Sequence, residues 1–202
     1  MTITSEQINQ MERIYRLNLI NGMSGIRQAF LVGTRSKEGT NNLAIFNSIV
    51  HIGSNPPLLG MIFRPVDEVR RDTFNNIQET GFYSLNQVPL EMVRSAHQTS
   101  AKYEEGLSEF DACGFEEEMI EGYHIPVVKE SPVRLIMKKE SEQTLPNGTT
   151  LMIGSVQLID LYENLLNAEG HLDLEKAHVA GVCGLNTYYN FKKLASFRYA
   201  RP

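Results

Sequence analysis

Several things are scarce in this sequence, and each scarcity closes off a class of protein. Its 202 residues include only two cysteines, Cys113 and Cys183. They lie too far apart for a CxxC pair and are too few for a disulfide framework, so the expectation is free thiols in a reducing cytoplasm. No apolar run approaches the roughly 18 residues of a membrane span, and the N-terminus lacks a basic segment followed by an apolar one. There is no basic surplus: 19 Lys and Arg face 24 Asp and Glu, a net charge of −5. A protein that tracks nucleic-acid phosphates needs the opposite balance, gathered on one face.

Catalytic signatures are missing too. The chain carries no Walker A loop, no GxGxxG after a strand, no HExxH and no GxSxG elbow. Its five histidines, His51, His97, His124, His171 and His178, show no i, i+4 pairing and none stands three or four residues from a cysteine, so a zinc site is not expected. The acidic run Glu116-Glu117-Glu118 reads as a solvated face.

What is present is an ordinary globular composition, 42% hydrophobic and 21% charged, at a length that can bury roughly 70% of the unfolded surface. Residues 5–18 carry a helical apolar period with Ser5 as N-cap. From Arg27 onward, β-branched and aromatic runs at 28–34, 42–51, 57–63 and 81–87 alternate with Gly, Pro, Asn and Asp clusters, the texture of an antiparallel sheet. A later pair, 133–142 and 149–161, flanks Leu145-Pro146-Asn147-Gly148, in which Asn-Gly accepts the positive φ of a tight hairpin. Helices are expected over 72–79 and 89–103. The aromatic and glycine-rich tail, 177–202, reads as packed. With no repeat and no linker, residues 1–202 form one β-rich domain with peripheral helices, and a closed or nearly closed Greek-key barrel would manage the sheet edges.

Three segments are unusual for a purely structural β-domain. The strand Asn42-Leu43-Ala44-Ile45-Phe46-Asn47-Ser48 has Asn42, Ala44 and Ser48 two or four residues apart, a polar and shallow face. The strand 57–63 ends at Arg64. Then come Arg70-Arg71-Asp72-Thr73 and Asn76-Ile77, followed by Thr80-Gly81-Phe82 and Asn86. A phosphate needs guanidinium or hydroxyl donors, which Arg64, Arg70, Arg71 and Thr73 supply, and a helix beginning at Asp72 adds its N-terminal amides. A flat ring needs strand amides beside a face without bulk, which Ala44 and Ser48 permit.

Taken in order, these pieces resemble the flavin reductase-like family with the FMN-binding split barrel, which includes the flavoredoxins: Asn42, Ala44 and Ser48, then Pro56-Pro57-Leu58, then Thr73, Asn76 and Ile77, then Thr80-Gly81-Phe82 and Asn86. Ser108-Glu109-Phe110 and Val127 to Pro132 extend the likeness, which runs from about Ser24 to Tyr162. It implies a mainly β protein, a six-stranded Greek-key split β-barrel with peripheral α-helices, usually a homodimer. It further implies bound FMN, with FAD as the variant, and hydride transfer from NADH or NADPH. The implied flavin site has Asn42, Ala44, Phe46, Asn47 and Ser48 along the ring, with Phe63, Arg64, Arg70 and Thr73 near the phosphate. Ser100 and Lys102, in the polar segment 96–103, would close over the cofactor. No side chain is singled out as catalytic, because hydride transfer to a flavin requires no obligatory general acid. An FMN-bound electron carrier served by a redox protein partner, a non-catalytic binding module and a pyridoxamine-phosphate-oxidase-like barrel stand as alternatives.

Overall fold

A computed structural model describes residues 1–66, 71–104 and 106–201. The chain opens with two helices, α1 (Ser5–Gln10) and α2 (Arg13–Met23), where one was expected over 5–18. The helical period breaks because Met11 adopts an extended backbone (φ −62°, ψ 146°). Glu12 then starts α2 afresh by accepting hydrogen bonds from the Ile14 and Tyr15 amides. Thr4, not Ser5, caps α1, in a capping box with Gln7.

The strands follow as β1 (Arg27–Gln28), β2 (Phe30–Arg35), β3 (Asn41–Phe46), β4 (Ile49–Ser54) and β5 (Pro57–Phe63). Next come α3 (Asp72–Thr80), β6 (Phe82–Gln87), α4 (Val93–Gln98), α5 (Glu109–Cys113), β7 (Glu117–Met119) and β8 (Pro126–Val128). The long hairpin β9 (Val133–Thr144) and β10 (Thr150–Leu161) precedes β11 (Ala180–Cys183) and β12 (Thr187–Asn190). The helix expected over 89–103 is shorter, a single 3-10 turn at Leu90–Met92 running into α4.

Seven antiparallel strands form one sheet in the order β3-β2-β6-β9-β10-β5-β4. The expected strand 42–51 is two strands, broken at Asn47-Ser48, which is why the count is seven and not six. The break has a topological consequence. β3 and β4 are opposite edges of the sheet, yet only Asn47 and Ser48 separate them, so the edges must approach within about 10 Å at that end. The sheet is therefore curled into a barrel that closes at one end and splits along the remaining edge. Ser48 continues the β4–β5 ladder by one residue: its carbonyl accepts from the Ile62 amide at 3.1 Å and its hydroxyl donates to the Ile62 carbonyl at 2.9 Å.

Because side chains alternate along a strand, β2 serves two cores at once. Phe30 and Val32 join Met61, Phe63, Tyr83, Leu85, Met137 and Met152 inside the barrel, with Ile77 of α3 among them. Leu31 points the other way, toward Leu43, Ala96, Phe110 and Val182, so α4, α5 and β11 cover the outer face. β11 lies between β1 and β12 in a separate three-stranded sheet, and β7 pairs with β8. Within the tail expected to be packed, the last contact is that of Lys193, whose amide donates to Glu175 Oε2 at 3.1 Å, and every residue from Lys192 to Arg201 is exposed.

Candidate functional site

A cleft of about 590 Å³ lies where the β3–β4 link, the end of β5, the head of α3, the α4–α5 segment and the β11–β12 hairpin meet. Phe46 and Phe63 line it, set edge to face at 5.3 Å, and Phe63 repeats the contact with Phe74 of α3 at 5.2 Å. This aromatic stack separates the cleft from the barrel core.

One end of the cleft gathers charged and hydroxyl side chains at the head of α3, Asp72 among them. Arg64 and Arg71 line it together with Thr73. Arg71 is the N-cap of α3 and provides no side-chain cap, leaving the first amides of a nine-residue helix without that partner. Its Nε is buried and finds no hydrogen-bond partner among the described residues. Thr73 is held by a buried polar cluster. Thr34 Oγ1 accepts from Asn42 Nδ2 at 3.4 Å and from Asn76 Nδ2 at 3.1 Å, while Asn42 Nδ2 also donates to Thr73 Oγ1 at 3.0 Å. Since Thr73 Oγ1 accepts from Asn42, its own O–H remains to donate elsewhere.

The cleft wall is the free edge of β3, and side chains seal that edge. The amides of Leu43 and Ile45 point away from β2. Glu109 Oε2 accepts the first at 3.0 Å and Thr99 Oγ1 the second at 2.9 Å. Burial pushes the Glu109 carboxyl above its ordinary value; the Leu43 amide opposes this, and nearby Asp72 adds to it. Asn47 donates from Nδ2 to the Gly184 carbonyl at 2.6 Å, tying the β3–β4 link to the β11–β12 turn. At the far rim, His97 Nδ1 lies 3.0 Å from the Tyr188 hydroxyl, the two rings edge to face at 5.7 Å. Burial raises the Tyr188 pKa. Ser100 stands beside this pair, donating to the His97 carbonyl at 2.7 Å.

Nine residues anticipated from the sequence line this one cleft: Asn42, Ala44, Phe46, Asn47, Ser48, Phe63, Arg64, Thr73 and Ser100. Arg70 lies outside the described residues. Lys102 is exposed and does not line the cleft. Ser48 corrects the shared-face argument, since it sits beyond the end of β3 and reaches the cleft from the link. Residues not anticipated include Thr34 and Thr99, which position others, and Leu185, Asn186 and Tyr188 from the C-terminal hairpin. No three His, Cys, Asp or Glu side chains gather as a metal site among the described residues. Cys113 is buried, and burial pushes its thiol pKa up, the condition of an inert thiol.

The flavin reductase like domain model matches residues 24–175, about three quarters of the chain. The chain belongs to this family. Among solved structures, a split-barrel protein of Shewanella frigidimarina grouped with the flavin reductases superposes with a TM-score of 0.95 at 39% identity, covering 99% of this chain and 100% of that one. Nitrilotriacetate monooxygenase component B from Bacillus cereus superposes at 0.86 with 21% identity over 98% of both chains. The flavoredoxin of Desulfovibrio vulgaris follows at 0.74 with 20% identity, over 87% of this chain and 92% of its own. The mainly β split barrel is thus the family fold. The residues of the cleft also suit the family's ligand class: a guanidinium nitrogen without a partner among the described residues and a helix head at one end suit a phosphate, and the small side chain of Ala44 leaves room for a planar ring. The amides of Leu43 and Ile45, expected from the sequence to meet that ring, are instead taken by Glu109 and Thr99. No helix among the described residues is long and apolar enough to cross a membrane.

Proposed function

We propose that this flavin reductase-like protein binds FMN in the cleft and is a flavin reductase that takes hydride from NADH or NADPH, working as a homodimer. The observation that carries the reading is the buried Nε of Arg71, without a partner among the described residues, at the head of α3 that has no side-chain cap and beside Arg64 and Thr73. A buried guanidinium nitrogen left unsatisfied is costly, and a phosphate oxygen removes that cost with a charge-assisted bond. Bound there, FMN supplies the hydride-accepting ring.

The protein's own groups bind, orient and exclude water. Arg64, Arg71 and the Thr73 hydroxyl hold the phosphate. The wall from Asn42 to Ser48 takes the ring, with Ala44 leaving room and Asn47 and Ser48 offering polar groups where the strand edge ends. Phe46 and Phe63 keep water from the inner side. The rim formed by His97, Ser100 and Tyr188 bounds the space left for a nicotinamide and holds the rings in contact, which is where positioning lowers the barrier.

An anaerobic absorbance titration tests this. Protein incubated with FMN and gel-filtered should retain the flavin bands, and NADH or NADPH should bleach them. Retained flavin that neither nucleotide reduces would favour the electron-carrier alternative, and failure to retain or turn over flavin would overturn both.

A further inference from the structure

A second cavity, of about 450 Å³, shares no lining residue with the cleft described above. It opens between the sheet and the segment that leads into β8. Along β8 that segment is pressed onto the sheet. The Val128 amide donates to Asn86 Oδ1 at 3.0 Å, and Ser84 Oγ donates to the Pro126 carbonyl at 2.6 Å. A Cβ at Gly33 would collide with that same carbonyl oxygen. Toward the ends of β2 and β6 the two layers part. A turn over 120–123, with Gly122 at φ 84° and the Tyr123 amide donating to the Ile120 carbonyl at 3.0 Å, bounds the wedge left between them.

The walls of this wedge divide by chemistry. Phe82 and Tyr123, edge to face at 6.4 Å, and the buried Ile125 make one side apolar. Arg35, Lys37 and His124 supply the charged side, and among the described residues no Asp or Glu lines the cavity. That runs against the composition of a chain with 24 acidic residues and 19 basic ones. Arg35 is held in place, its Nη1 donating to Asn41 Oδ1 at 3.3 Å while Asn41 Nδ2 donates to Glu117 Oε2 at 2.6 Å. None of Arg35, Lys37 and His124 forms an ion pair among the described residues. Thr80, the last residue of α3, completes the lining, so the helix presents its C-terminal end here. Such an end carries about half a negative charge, which disfavours a dianion while two permanent cations still favour a single negative charge.

We propose that this cavity is a second ligand site and that it takes an aromatic carboxylate. The ring lies against Phe82, Tyr123 and Ile125, and the carboxylate meets the guanidinium fork of Arg35 with Lys37 beside it. A cavity of this volume, with an apolar wall and a few convergent polar groups, has the make-up of a small-molecule site. The site does not depend on the flavin reading. It stands at the opposite end of α3 from Thr73, so a molecule seated in it and a flavin in the cleft do not compete for any side chain.

Isothermal titration calorimetry with 2-naphthoate tests the site on the full chain, with and without saturating FMN. The expected result is one 2-naphthoate per chain with a dissociation constant of about 10–100 μM, unchanged by FMN. Two analogues read the charge: 2-naphthamide, of the same shape but neutral, and 2-naphthyl phosphate, a dianion, should each bind at least about tenfold more weakly. Arg35→Gln should weaken 2-naphthoate by about tenfold to a hundredfold. Lys37→Gln, at an exposed turn residue whose loss leaves the fold intact, should weaken it by about threefold to tenfold. No measurable binding at about 1 mM overturns the proposal, as does equal affinity for the amide or tighter binding of the phosphate. Affinity unchanged in both variants overturns it too, and so does 2-naphthoate displaced by FMN, which would place it in the flavin cleft. A protein that fails to retain FMN yet binds 2-naphthoate as expected would sink the flavin reading and support this site.

Discussion

Asn42 Nδ2 donates to Thr73 Oγ1 across 3.0 Å, joining the edge strand β3 to the first turn of α3. The bond means that the wall of the cleft and its end at the head of α3 are set by one buried contact. Replacing Thr73 with Val leaves the Asn42 amide short of an acceptor, at a cost of about 1–3 kcal/mol. The melting temperature should fall by roughly 3–10 °C, and FMN should bind more weakly. Thr73→Ser, which keeps the oxygen, should recover most of both losses. A Thr73→Val protein with unchanged FMN affinity would separate the hydroxyl from the ligand.

Arg71 gives a sharper discrimination. Its replacement by Ala should raise the FMN dissociation constant by about tenfold to a hundredfold. Riboflavin, which has no phosphate, should bind the variant much as it binds the wild type. Fluorescence quenching of the two flavins, measured side by side, decides it. An equal loss for both would move Arg71 away from the phosphate.

The Glu109 carboxyl predicts a pH dependence. Its pKa is raised in the folded protein by burial, so folding favours the protonated form. Its contribution to stability is fully present below the ordinary carboxyl value of 4.5 and is lost as pH rises through the folded value. Glu109→Gln keeps an oxygen for the Leu43 amide and removes the buried charge. The variant should therefore melt above the wild type at about pH 8, the gap closing toward about pH 4. A gap that widened on acidification would reverse the sign and refute the argument.

Gly154 stands at a register shift between β9 and β10, where an added Cβ would lie 2.3 Å from the Tyr83 hydroxyl oxygen. Gly154→Ala forces apart two strands of the barrel core and should cost about 1–3 kcal/mol. Combining it with Tyr83→Phe, which removes the clashing oxygen, should restore part of the loss in denaturant titrations. Additive losses would place the strain elsewhere.

Much of the barrel could be read from the sequence because strands and turns declare themselves locally. Asn147-Gly148 located the β9–β10 hairpin, and β-branched runs located β2, β5 and β6. The break at Asn47-Ser48 was not legible. There the chain passes from one edge of the sheet, β3, to the other, β4, a change of partner that no local residue pattern marks. For the site, the ordered family residues found both ends of the cleft without showing why they belong together. Thr34 explains it, yet a lone threonine in a strand gives no signal; it is defined by Asn42 and by Asn76, 42 residues on. Tyr188 falls in a tail that reads simply as packed, since nothing local places the C-terminal hairpin against β3. The tail beyond Phe191 misled because aromatic residues suggest burial without naming what buries them.

The sealed edge of β3 also bears on how this protein fails. Glu109 and Thr99 occupy the amides that a foreign strand would need, so the sheet cannot be extended from that side. β4, the opposite edge, ends the sheet with Val50 and Ile52 exposed. Heat-induced aggregation should thus propagate from β4, and a lysine at Val50 should slow turbidity without touching the cleft.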